Sequence, residues 1–196
     1  MNMKTKYRRI SSGLASSLAL ALTLAACGKP QQLDLVGIRY GMTLDEVKAA
    51  SPDGASLYCQ GDGDAAFDAK FPKSDTTTYC AWTSTDAAGG RTYSSGISFG
   101  DSKAFDNQFA FTHAGGQYAL DMFKVRFREN AYQPNVQILT DRLGKPEPSP
   151  VNVPFLVDGV QWAGKDATLT SWVEHQPTGY PPLSGLSLTK PVSKPG

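Results

Sequence analysis

Apolar and polar residues alternate along much of this chain, and the clearest run is Tyr118–Phe127. Phe123, Val125 and Phe127 fall on one side, and Met122, Lys124 and Arg126 on the other. A period of two predicts a β-strand with one buried face. Gly115-Gly116, just before it, suits a two-residue hairpin turn. Strands are also expected over Ala55–Gln60 and Thr77–Ser84. After the turn at Asp86–Gly90, Thr92–Phe99 is expected to return as a partner strand. Three more strands fit 159–163, 167–174 and 184–190, with Gly164-Lys165-Asp166 turning the first pair. Residues 101–112 carry two patterns. Phe105 and Phe109 lie four apart, as on a helix, whereas Phe109 and Phe111 alternate as in a strand.

Two segments have helical signals. Thr43 can cap a helix whose third residue, Glu46, reaches back to the Thr43 N–H, and Met42 and Val47 flank this capping box as a hydrophobic staple. Ser51-Pro52-Asp53-Gly54 stops that helix after about two turns. The second helix fits Pro134–Leu143, with Val136, Leu139 and Leu143 at i, i+3 and i+7. Gly144 suits the position after its end, and Lys145-Pro146 forbids continuation.

This order predicts an α+β fold, an antiparallel β-sheet packed by two short helices on one face. Each helix ends at a proline and leads into a meander, which suggests a tandem helix–β-meander arrangement. One domain is expected over 37–190, with halves 37–128 and 129–190, followed by a loose tail over 191–196.

The amino terminus changes where such a domain would work. Lys4, Lys6, Arg8 and Arg9 precede an apolar run from about Leu14 to Ala26, and Leu24-Ala25-Ala26 lead into Cys27. Basic start, short apolar core and small residues read as a secretory signal over 1–26. The run falls short of the ~20 apolar residues of a membrane span. The residues before Cys27 resemble a lipobox, which implies cleavage before Cys27, diacylglyceryl transfer to its sulfur and palmitate-type acylation of its amine. Residues 27–36 then form the lipidated cysteine and a polar tether. Position 28 is Gly and position 29 Lys, with no Asp of the kind that retains lipoproteins at the inner membrane. The expected location is the outer membrane, facing the periplasm.

The chain has 19 Lys and Arg against 18 Asp and Glu, and the leader holds four of the basic residues and none of the acidic ones. The mature chain is therefore net acidic by three, which argues against nucleic acid as a partner. Membrane attachment would rest on the acyl chains of Cys27. An exported protein meets an oxidising compartment, so Cys59 and Cys80 are expected to form a disulfide. Two free thiols or half of a metal site are the alternatives.

Gly41-Met42-Thr43-x-x-Glu46-Val47, soon after a lipid anchor, resembles the SmpA/OmlA (BamE-like) group of small envelope lipoproteins. The helix ending Leu143-Gly144-Lys145-Pro146, with Trp162 in the strand beyond it, adds to that resemblance. That group shares its architecture with the β-lactamase inhibitor protein. The resemblance implies that fold and a habit of binding another envelope protein. The Cys59/Cys80 pair and the long β-rich middle depart from a single-repeat member of the group.

Catalytic patterns fail on inspection. Gly159 to Asp166 nearly matches a P-loop, but Asp166 replaces the Mg²⁺-binding hydroxyl and the setting is a hairpin, so no nucleotide is expected. Ser187-Leu-Thr-Lys190 matches S-x-x-K but lies on a strand rather than at a helix start. His113 and His175 have no catalytic neighbours in sequence. Asp62, Asp64 and Asp68 could hold Ca²⁺ or form a solvated loop, and their spacing departs from the EF-hand. Thr178 to Leu183, with Tyr180-Pro181-Pro182, reads either as a rigid recognition loop or as a connector whose Tyr180 packs locally. No cofactor, metal site or enzyme activity is expected. The expected function is that of a lipid-anchored periplasmic protein-binding lipoprotein in outer-membrane or envelope assembly and maintenance. The alternative is an inhibitor or immunity lipoprotein neutralising an enzyme or toxin that acts in the periplasm.

Overall fold

A computed structural model describes residues 32–93, 96–128, 131–149, 156–174 and 180–191. The Thr43 capping box forms as expected, with the Glu46 N–H donating to Thr43 Oγ1 and the Thr43 N–H to Glu46 Oε2. It opens α1 (Leu44–Ala49) and turns Val47 into the core. Three elements follow: β1 (Ser56–Cys59), α2 (Ala65–Asp68) and β2 (Thr77–Thr85). The partner strand expected at Thr92–Phe99 is split into β3 (Arg91–Thr92), which pairs with β2, and β4 (Ser98–Phe99), which pairs with β5 (Ser102–Ala114). β5 and β6 (Gln117–Phe127) form the longest hairpin. Gly115 and Gly116 both have positive φ at its tip, the backbone that a tight two-residue turn requires. The chain continues through α3 (Tyr132–Leu143), β7 (Glu147–Pro148), β8 (Leu156–Ala163), β9 (Thr168–Glu174) and β10 (Leu183–Thr189).

The expected α+β arrangement, a sheet packed by two helices in tandem halves, is not what the chain builds. Among the described residues, ten strands join one antiparallel sheet in the order β1-β2-β5-β6-β10-β9-β8-β7, with β3 on β2 and β4 on β5. The two runs of strands fuse where β6 pairs with β10. The three helices among the described residues have six, four and twelve residues, so the sheet dominates. Residues 102–112, where helical and strand patterns compete, belong to β5. The β5–β6 register shifts between Ala104 and Asp106, leaving Phe105 as an extra residue in β5. This bulge resets the alternation, so Ala104, Asn107, Phe109 and Phe111 are all buried. A second shift leaves Asp121 extra in β6, so Leu120 and Phe123 are both buried despite their three-residue spacing.

The core lies on the face that carries α1 and α3. Trp82, Phe109 and Phe123 pack edge-on or stacked within it, and Leu139, Trp162, Leu169 and Leu186 extend it beneath α3. Leu33 and Leu35 are 3% and 1% exposed, so the buried contacts begin ahead of Ile38, inside the segment read as tether. Arg142 of α3 clamps this segment by donating to the Asp34 carbonyl at 2.7 Å.

Features at both ends of the β1–β7 path hinder pairing with a further strand. In β1 the backbone of Cys59 faces outward. Its N–H donates to Asp62 Oδ2 at 2.9 Å, and its carbonyl accepts from the Asp62 N–H. At the other edge β7 has only two residues, and Pro148 has no N–H to offer.

Candidate functional site

Cys59 and Cys80 are paired directly across β1 and β2 and are bonded to each other. The antiparallel register brings the two Cα atoms to 4.0 Å. The bridge closes the segment that carries α2. Replacing both cysteines with alanine should lower stability by about 3 kcal/mol for a loop of this size. Urea unfolding of the double variant against the wild type measures it.

The acidic loop inside that bridge holds its own backbone. Asp62 caps Cys59 as described, Asp64 Oδ1 accepts from the Ala66 and Phe67 N–H groups at 3.0 Å, and Asp68 Oδ1 accepts from the Gly61 N–H at 3.0 Å. Asp64 also pairs with Arg91, Nε to Oδ2 3.4 Å, and the Arg91 guanidinium lies 3.4 Å from the centre of the Tyr58 ring. Phe67 is buried against Tyr58, Phe71 and Tyr93, on the sheet face opposite Cys80 and Trp82. Among the described residues no three His, Cys, Asp or Glu side chains are grouped to hold a metal ion.

The Phe67 N–H, more than any other group, holds the Asp64 carboxyl below its ordinary value, and the Thr43 N–H does the same for Glu46. A depressed carboxyl contributes stability above its unfolded pKa and loses it as pH falls through the folded value. Stability should therefore decline from about pH 4.5 downward. The double variant Glu46→Gln/Asp64→Asn, which keeps the N-cap acceptor, should show a shallower decline in acid denaturation.

The near-P-loop lies in a hairpin, where the Gly164 N–H donates to the Ala167 carbonyl. Ser187 sits in the interior of the sheet, opposite Lys124 on β6 and Thr170 on β9. The His113 ring packs at a tilt of 44° against Tyr118, centroids 4.9 Å apart. Cys27, His175, Thr178, Gly179 and the tail beyond Pro191 lie outside the described residues. Tyr180 is 72% exposed, so it does not pack locally. Among the described residues no helix is long and apolar enough to cross a membrane.

Two arrangements escape sequence reading because register assembles them. On the face opposite α3, Arg126 lies 3.8 Å from Glu174 and 4.0 Å from Asp106. Beside it the Lys124 ammonium sits over the Trp172 ring at 4.7 Å, and burial lowers the Lys124 pKa. The Trp172 indole lies flat across Gly185, where any Cβ would overlap it. These ion pairs are about one-third exposed and contribute little. Their place between strands marks a structural clasp.

The second arrangement is a cleft where β5 begins. β2 leaves β5 after the Cys80–Phe109 pair, and the Asn107 side chain takes over the backbone of Trp82. Beyond it, Lys103, Phe105 and Arg128 line a cavity of about 470 Å³ with Ala104 and Phe127 as buried apolar lining.

No family model matches the chain, and neither a curated protein nor a solved structure matches it.

Proposed function

We propose that this chain is a lipid-anchored periplasmic lipoprotein of the outer membrane that binds another envelope protein in assembly or maintenance and catalyses no reaction. The observation that carries the protein-binding role is Tyr180, a large amphipathic side chain held out to solvent beside Pro181-Pro182. Aromatic anchors of this kind contribute disproportionately to protein interfaces. The Cys59–Cys80 bond supports export to an oxidising compartment. The lipobox-like residues before Cys27 support the anchor. The acidic side chains that chemistry would need in the stapled loop are engaged with backbone N–H groups instead.

Crosslinking in cells from a photoreactive residue at position 180 should trap a defined envelope protein. Cys27→Ala should release the folded chain from membranes. No adduct, together with an unchanged envelope barrier on deletion, would overturn the reading. Protection from a periplasm-acting toxin that persists with the soluble Cys27→Ala form would assign the inhibitor role instead.

A further inference from the structure

We propose that the cleft at the start of β5 docks an acidic segment of the partner protein, an apolar side chain entering over Phe105 with flanking carboxylates on Lys103 and Arg128. This rests on the protein-binding role proposed above and assigns it a second contact besides Tyr180.

The cleft is a product of the fold. β2 and β5 part after the Cys80–Phe109 pair, Asn107 bridges the gap to Trp82, and the Phe105 bulge takes that ring out of the sheet's alternation. What remains is a concavity of about 470 Å³, within the range that admits a small ligand or one or two side chains. Ala104 and Phe127, 6% and 1% exposed, form its buried floor, and the half-buried Phe105 presents the apolar surface.

Its rim is cationic. Lys103 and Arg128 are exposed, and neither makes an ion pair among the described residues. The Arg128 guanidinium lies 5.2 Å from the Phe105 ring centre, so cation and ring form one wall. Among the described residues, Asp101 is the only acidic side chain lining the cleft. Two cations without an ion-pair partner among the described residues, set beside the Phe105 ring on a mature chain that is net acidic, make a local complement to carboxylates. Anionic membranes are recognised by clusters of about four to eight basic residues. Two fall short of that and suit a peptide instead.

A library of capped peptides selected on the mature chain tests this. Enriched sequences should pair an aromatic or aliphatic residue with Asp or Glu. Lys103→Glu/Arg128→Glu should weaken them at least tenfold, and Asp101→Asn should strengthen them. Both cations are exposed, so near-ultraviolet circular dichroism of the variants should match the wild type. No enrichment, or binding indifferent to these charges, overturns the proposal. So does binding of the Cys27→Ala chain to phosphatidylglycerol vesicles that the same double variant abolishes, since that would assign the cations to lipid. A crosslink from position 180 that survives the double variant at full yield would leave the protein-binding role standing and remove the cleft from it.

Discussion

Replacing Asn107 with leucine should destabilise the protein by about 3–9 kcal/mol, since three buried or part-buried backbone groups lose their partner at about 1–3 kcal/mol each. Asn107 is 2% exposed. Its Oδ1 accepts from the Trp82 N–H at 2.7 Å, and its Nδ2 donates to the carbonyls of Trp82 and Tyr93 at 2.9 Å. These groups lie where β2 has left β5, so no strand stands ready to replace the amide. Leucine fills similar volume, which separates the polar effect from a packing defect. Urea unfolding should show the loss, and hydrogen exchange should show the Trp82 amide losing protection first. A cost below about 1 kcal/mol would mean that water reaches this gap.

Replacing Phe123 with alanine should cost about 3–5 kcal/mol, the usual range for deleting a fully buried aromatic side chain. Phe123 is 0% exposed and sits on β6 between Phe109 of β5 and Leu188 of β10. Its ring stacks on Phe109 with centroids 4.4 Å apart and meets Trp82 at 5.7 Å. Because β6 joins the two runs of strands, the cavity opens where they fuse. A single unfolding transition with an unchanged denaturant slope is expected. Two separated transitions would show that the strands on either side of the β6–β10 junction unfold independently.

Local features were legible wherever near neighbours in the chain decide the outcome. The Thr43–Glu46 box spans three residues, and the Gly115-Gly116 turn needs only φ freedom at two adjacent positions. Gly144 follows α3 with φ 87°, as its place after the last periodic residue implied. The helix α2 was missed because four residues are too few to display a period, although Asp64 ahead of it is a usable cap signal. Leu33 and Leu35 were read as part of a polar tether. Two leucines among polar neighbours carry too little pattern to reveal a core that the sheet and α3 supply.

The sequence by itself determined the alternation of β6, the capping of α1, the end of α3 and the pair of cysteines available to bond. Each depends on side-chain chemistry and spacing within one or two elements. Only the tertiary structure decided that ten strands form one sheet, that Phe105 and Asp121 are extra residues in their ladders, that Trp172 rests on Gly185, and that Lys103 and Arg128 share a cleft. These follow from strand pairing, in which a one-residue change of register turns every later side chain to the other face.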